Sequence, residues 1–174
     1  MLHFSASTEA DGWHKKAIYR TWTKDFAAFS EPKLLYGRKD ASIIDSAMYE
    51  EDGAYYLFVK SETDPVGIAL YRSSSPEGDF ERMEAFGSAM DGMDRRYYEA
   101  PTAVKLTDGR WCLFMDFFGV KGEGQGYVPF ISEDIRTGVF RRSDSDFSFP
   151  YGFKHGTVLA ITEEEYNRMK VAID

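Results

Sequence analysis

Three polar side chains stand inside apolar, strand-forming segments, where chemistry needs them and folding alone does not. Asp45 lies in Ser42-Ile43-Ile44-Asp45-Ser46-Ala47-Met48, and a carboxylate there is costly to bury unless it is paired. Glu99 lies in Tyr97-Tyr98-Glu99-Ala100-Pro101-Thr102-Ala103-Val104. Neighbouring rings desolvate such a carboxyl, which raises its pKa and suits it to act as a general acid near neutral pH. Either residue could instead be a structural carboxylate satisfied by backbone. Asp45 and Glu99 are 54 residues apart. His155, in Phe153-Lys154-His155-Gly156-Thr157-Val158-Leu159, precedes an apolar segment that reads as a strand. Taken alone, that histidine reads as a core or turn residue.

The elements that must position these residues repeat along the chain. Tyr49 to Val59 and Val104 to Phe114 each read as strand, tight turn, strand, with Asp-Gly pairs at 52–53 and 108–109. Asp-Gly between apolar runs predicts a type I′ hairpin, whose two central residues take positive φ. A second signal has the same period: an apolar strand, small polar residues, then an acidic residue and Phe. It runs through Ile18 to Phe26, Ala69 to Phe80 and Val128 to Phe140. A hairpin-built repeat of about 55 residues marks a β-propeller blade. Inward residues at one phase of successive blades should face a common axis, so the spacing predicts that Asp45 and Glu99 converge. The length of 174 residues accommodates about three blades: a remnant over 1–36, a blade over 37–86, a blade over 87–150, and a closing strand with a helix over 151–174. The chain enters partway through a blade, because the first copy has no Asp-Gly hairpin. Thr162-Glu163-Glu164-Glu165 is a capping box, predicting a helix over about 162–171. Helix signals are otherwise poor, and 87–96 reads as loop.

Composition narrows the partners. A net charge of −8 argues against nucleic acid and against an anionic membrane surface. The single cysteine, Cys112, excludes an intrachain disulfide and a multi-cysteine zinc site, and reads as a small core residue. No apolar run approaches a membrane span. The first residues carry no secretion signal, so the location stays open between the cytoplasm and secretion with an upstream part removed. Aromatic residues make up 16%, which favours strands and stacking surfaces.

In this order and spacing, Ile44-Asp45-Ser46-Ala47, Tyr98-Glu99-Ala100-Pro101-Thr102 and Lys154-His155-Gly156-Thr157-Val158 resemble glycoside hydrolase family 43. Phe29-Ser30-Glu31-Pro32-Lys33-Leu34-Leu35 resembles its outer strands. The resemblance, from about Ile18 to Tyr166, covers the arabinanases and β-xylosidases, which are five-bladed β-propellers. It implies an all-β fold with about three blades present and a short C-terminal helix. It also implies inverting hydrolysis of arabinose- or xylose-containing plant polysaccharides, with base and acid roughly 6.5–9.5 Å apart. By the same resemblance Glu99 matches the general acid. Asp45 matches the carboxylate that orients the acid and tunes its pKa. His155 matches a residue that orders water or a structural calcium ion. No other cofactor is implied. Where the family has Gly, this chain has Ala100.

The family's general base, an Asp from the first blade, has no match; Asp11 sits in a polar loop-like stretch. The resemblance therefore implies a glycosidase form without its base, weak or inactive alone. The alternatives are a non-catalytic carbohydrate-binding propeller and a protein-interaction scaffold. Sugar rings present C–H faces that stack on aromatic rings, which makes Tyr97, Tyr98, Trp22 and Phe118 candidates for substrate binding. An open three-blade arc leaves an apolar face and free strand edges, predicting a homo-oligomer.

Overall fold

The computed structural model describes residues 1–119, 126–145, 147 and 152–171. Three antiparallel sheets follow one another along the chain. The first contains β1 (Leu2–Ala6), β2 (Ala17–Thr21) and β3 (Lys33–Tyr36) in that order. The second is a meander of β4 (Ile43–Glu51), β5 (Ala54–Ser61), β6 (Gly67–Ser73) and β7 (Glu81–Arg82). The third repeats it with β8 (Tyr98–Lys105), β9 (Trp111–Phe117), β10 (Gly126–Ser132) and β11 (Arg141–Arg142). This is the stacked-sheet arrangement of a propeller.

Alternation within each strand builds the stack. On β5, Tyr56 and Phe58 join the core shared with the third sheet, while Leu57 and Val59 join the core shared with the first. On β9, Trp111, Leu113 and Met115 face the second sheet, and Cys112 and Phe114 face outward. Phe147 and Val158 cover that outward face. Both sides of β5 and β9 are thus buried, which is why their sequences read as unbroken apolar runs.

Register shows what the first sheet lacks. Leu2 pairs with Thr21 as Tyr55 pairs with Ser73 and Trp111 with Ser132. So β1 corresponds to β5 and β9, and nothing described in the first sheet corresponds to β4 and β8. β1 stands at the edge.

Several expectations need correction. The turn at 52–53 is type I′, with φ of 51° at Asp52 and 75° at Gly53. At 108–109 only Gly109 is left-handed, and its N–H donates to Leu106 O at 3.0 Å. That is a three-residue loop ending in a glycine bulge. An unforeseen helix, α1 (Glu84–Met90), occupies part of the expected 87–96 loop. It has no side-chain cap and a glycine inside, so its stability comes from tertiary packing, with Phe86 and Met90 fully buried. Where the closing strand was expected, the described residues 152–162 pair in no ladder with other described residues, and most are exposed. The helix α2 (Glu163–Val171) does form, with Thr162 and Glu165 making the reciprocal capping bonds. The Phe repeat is not a packing repeat, since Phe140 is buried and Phe26 largely exposed.

Candidate active site

The inner strands β4 and β8 carry matching irregularities. Register breaks between Ile44 and Ala47 on one and between Glu99 and Thr102 on the other. Asp45 and Ala100 take left-handed φ of 51° and 46°. Each strand therefore bulges where it leaves the site, which re-aims the neighbouring side chains. Ile44 pairs with Lys60, and Glu99 pairs with Asp116. Thus Glu99 corresponds to Ile44, and Ala100 to Asp45: the expected equivalence of Asp45 and Glu99 is off by one residue. Asp tolerates the left-handed conformation better than most side chains.

The two residues nevertheless converge. Asp45 Oδ2 accepts the backbone N–H of Ala100 at 3.0 Å, beside Glu99. Further along, Tyr49 Oη accepts the Ala103 N–H at 2.6 Å and lies 3.3 Å from the Thr102 hydroxyl. The second sheet is thereby laced to the third along the inner strands.

Glu99 is held at both oxygens. Oε2 accepts from Lys60 Nζ at 3.2 Å, and Oε1 from His155 Nε2 at 3.1 Å. Lys60 is 5% exposed, with its ammonium 4.4 Å from the centre of the Phe118 ring, a favourable cation–π placement. Burial pushes the Glu99 carboxyl up. The His155 hydrogen bond and the Lys60 charge outweigh it and hold the carboxyl below its usual range. This reverses the expected upward shift, because the rings came with two basic groups.

Asp116 completes the cluster. Its side chain is 0% exposed, and both oxygens lack a hydrogen-bond partner among the described residues. His155 Nε2 stands 3.5 Å from Oδ2, and Lys154 Nζ 3.8 Å from Oδ1. Burial raises its pKa; Lys154 opposes that, and the Glu99 charge adds to it.

The segment bearing Lys154 and His155 is docked by β10. Tyr127 N–H donates to Phe153 O at 3.0 Å, and the Tyr127 hydroxyl to Gly156 O at 2.7 Å. Gly126, at φ 85°, allows this approach, since a Cβ there would collide with the Phe153 carbonyl. His155 itself takes a left-handed φ of 47°. Strained backbone at Asp45, Ala100 and His155, all around Glu99, fits a site that the surrounding fold holds in place.

The aromatic candidates divide. Phe118 lies at the site through Lys60. Tyr97 packs edge-on against Phe117 and Phe118 and is half-buried. Tyr98 is 2% exposed and packs on Phe117 and Phe130; it is a core residue with no face for a sugar. Trp22 is exposed but lines a groove with Glu50, Tyr55 and Pro76. Asp45 lies near the start of β4 and Glu50 near its end, so Trp22 stands at the other end of the sheets. Lys60 and Asp116 were not singled out in the sequence. Their signal was available: each is a charge at the end of an apolar run, and they stand 56 residues apart, like the Asp-Gly turns.

Glu99, Asp116 and His155 bring three potential ligand atoms within 4.8 Å of one another. Calcium takes about six to eight oxygens. Two carboxylates and an imidazole, with two ammonium groups beside the same carboxylates, do not fit it. The arrangement instead suits proton handling at Glu99.

Among curated proteins, no sequence matches this chain. Solved structures share its fold. Sucrose-6-phosphate hydrolase from Lactobacillus gasseri superposes with a TM-score of 0.61 at 13% identity, over 81% of this chain and 32% of its own. The α-L-arabinofuranosidase PaAbf62A from Podospora anserina gives 0.55 at 17%, over 72% and 42%. Xylan β-1,4-xylosidase from Bacillus halodurans C-125 gives 0.50 at 16%, over 87% and 31%. The chain thus spans well under half the length of these three structures. A family model described as a probable glycosyl hydrolase domain, of the family 43-related type, matches residues 1–167. With its sheets stacked as in glycosidase propellers and that match running almost end to end, the chain belongs to the family 43-related glycosyl hydrolase domains.

Proposed function

We propose that this chain forms the acid side of a glycosidase site for arabinose- or xylose-containing saccharides, acting by inversion once a base is supplied. The observation that carries this reading is the gripped carboxylate: Glu99 is held by Lys60 and His155 and stands beside the Asp45-capped bulge. Glu99 protonates the departing glycosidic oxygen. Asp45 acts through the Ala100 backbone to fix the direction of Glu99. Tyr97 and Phe118 supply the aromatic wall.

The base, which the resemblance assigns to an Asp of the first blade, is not among the described residues gathered around Glu99. Alone, the chain binds sugar and turns it over weakly or not at all. Because β1 has no pairing partner on its outer side among the described residues, and Leu2, Phe4 and Leu34 are exposed in the first sheet, the chain self-associates, which light scattering reads directly.

Calorimetry with arabino- and xylo-oligosaccharides tests the reading. It expects binding that Glu99→Ala removes while the fold survives. Binding indifferent to Glu99 would refute it. Ready cleavage of aryl arabinosides or xylosides by the chain alone, lost in Glu99→Gln, would refute the missing-base part. Binding without turnover after a base-bearing strand is restored would favour a carbohydrate-binding propeller instead.

A further inference from the structure

We propose that Glu99 and Asp116 share one proton, with Asp116 the neutral partner and a positioning residue for the acid. The two are directly opposed across β8 and β9, so their side chains leave the sheet on the same face. Like charges placed this way repel. Burying an ionised carboxylate without hydrogen bonds is costlier still, and Asp116 is fully buried with neither oxygen hydrogen-bonded among the described residues.

Every polar neighbour is otherwise engaged or too far. His155 presents one nitrogen to both carboxyls, at 3.1 Å from Glu99 and 3.5 Å from Asp116. One N–H serves the nearer. Lys154 Nζ, at 3.8 Å, is beyond hydrogen-bond reach. Tyr127, opposite Asp116 in register on β10, gives its hydroxyl to Gly156. Lys60 is committed to Glu99 and Phe118, and Asp45 to Ala100. A proton on Asp116 removes the repulsion and the buried charge together. The pKa directions agree, with Asp116 raised and Glu99 lowered, the separation expected of two carboxyls with divided roles.

The pair then stores the proton that the acid delivers. Transfer within it turns Asp116–COOH and Glu99–COO⁻ into Asp116–COO⁻ and Glu99–COOH, with no net proton change. The new charge on Asp116 faces Lys154 and His155. Glu99 then gives the proton to the leaving oxygen, which keeps the electron pair of the broken C–O bond. The proton of the attacking water goes to the base. This use of the pair rests on the glycosidase reading above; the shared proton does not.

Carbon-13 carboxyl titration of the whole chain tests it, with signals assigned by their loss in Asp116→Asn and Glu99→Gln. Asp116 should keep its proton above the usual aspartate midpoint of about 3.9, and that midpoint should fall by about one pH unit in Glu99→Gln. In Asp116→Asn, Glu99 should titrate in a single step. Thermal melts give an independent readout. Asn mimics a neutral Asp116, so Asp116→Asn should melt no lower than the parent at any pH below the Asp116 midpoint. An Asp116 midpoint at or below the usual value, one indifferent to Glu99→Gln, or a melt several degrees lower would overturn the proposal. A titration as expected with no sugar binding would sink the glycosidase reading alone.

Discussion

The Asp45 carboxylate bonds the backbone of Ala100, its own counterpart in the next sheet, at 3.0 Å. One bulge thus caps the other, and Glu99, the proposed acid, is the residue immediately before the capped amide. In the proposed site the cap fixes the direction of Glu99 without touching it.

Removing the cap should be costly in a specific way. Asp45→Ala deletes the acceptor and places Ala in a left-handed conformation. The expected loss is about 1–3 kcal/mol for the stranded amide with about 1 kcal/mol more for the backbone. Asp45→Asn keeps an oxygen and tolerates the conformation, so it should lose clearly less. Urea denaturation measures both, and equal losses would mean that the bond contributes nothing.

Ala100 is the reverse case. At φ 46° its Cβ is strained, and glycine would remove the strain at some cost in chain entropy. Ala100→Gly should gain about 0.5–1 kcal/mol net. A loss would show that the methyl group packs usefully.

The Lys60–Glu99 pair predicts a pH dependence. Glu99 is held below its usual value of 4.5, so its contribution to stability is complete above that value and lost as pH falls through the folded-state value. Lys60→Met removes the cation. The stability gap between parent and variant should therefore be widest near pH 7 and close as pH drops below about 4. Melting curves across pH 3–7 check this, and a gap independent of pH would contradict it.

Gly126→Ala tests the docking of the His155 segment. The added Cβ meets the Phe153 carbonyl, so the segment must shift or the strand must strain, costing about 1–3 kcal/mol. His155 should lose its bond to Glu99, read as a change in the imidazole nitrogen-15 shifts. An unchanged imidazole would show that the segment finds another way in.

Much of this was legible in the sequence because its signals are local. Asp-Gly turns and unbroken apolar runs announce sheets buried on both faces, and the capping box announces the last helix. Asp45, Glu99 and His155 were found as polar residues in apolar surroundings, and Asp45 and His155 do meet at Glu99 or its neighbour. The rest depends on geometry that spacing does not carry. A bulge inserts one residue, so the 54-residue spacing of Asp45 and Glu99 concealed a phase slip. Which end of the sheets a residue occupies is one such feature, and it sets Trp22, beside Glu50 and Tyr55, apart from Glu99. Tyr98 and Glu99 alternate sides of β8, which put one in the core and the other in the site. The downward shift at Glu99 came from His155 and Lys60, residues far off in sequence and brought to it only by the fold.

The central claim is that sugar binds around Glu99. Amide chemical-shift mapping of the chain with arabino- and xylo-oligosaccharides tests it most directly. Shifts should concentrate at Lys60, Glu99, Ala100, Phe118 and His155 and leave Trp22 and Tyr55 still. Shifts centred on Trp22 and Tyr55, or none at any concentration, would contradict it.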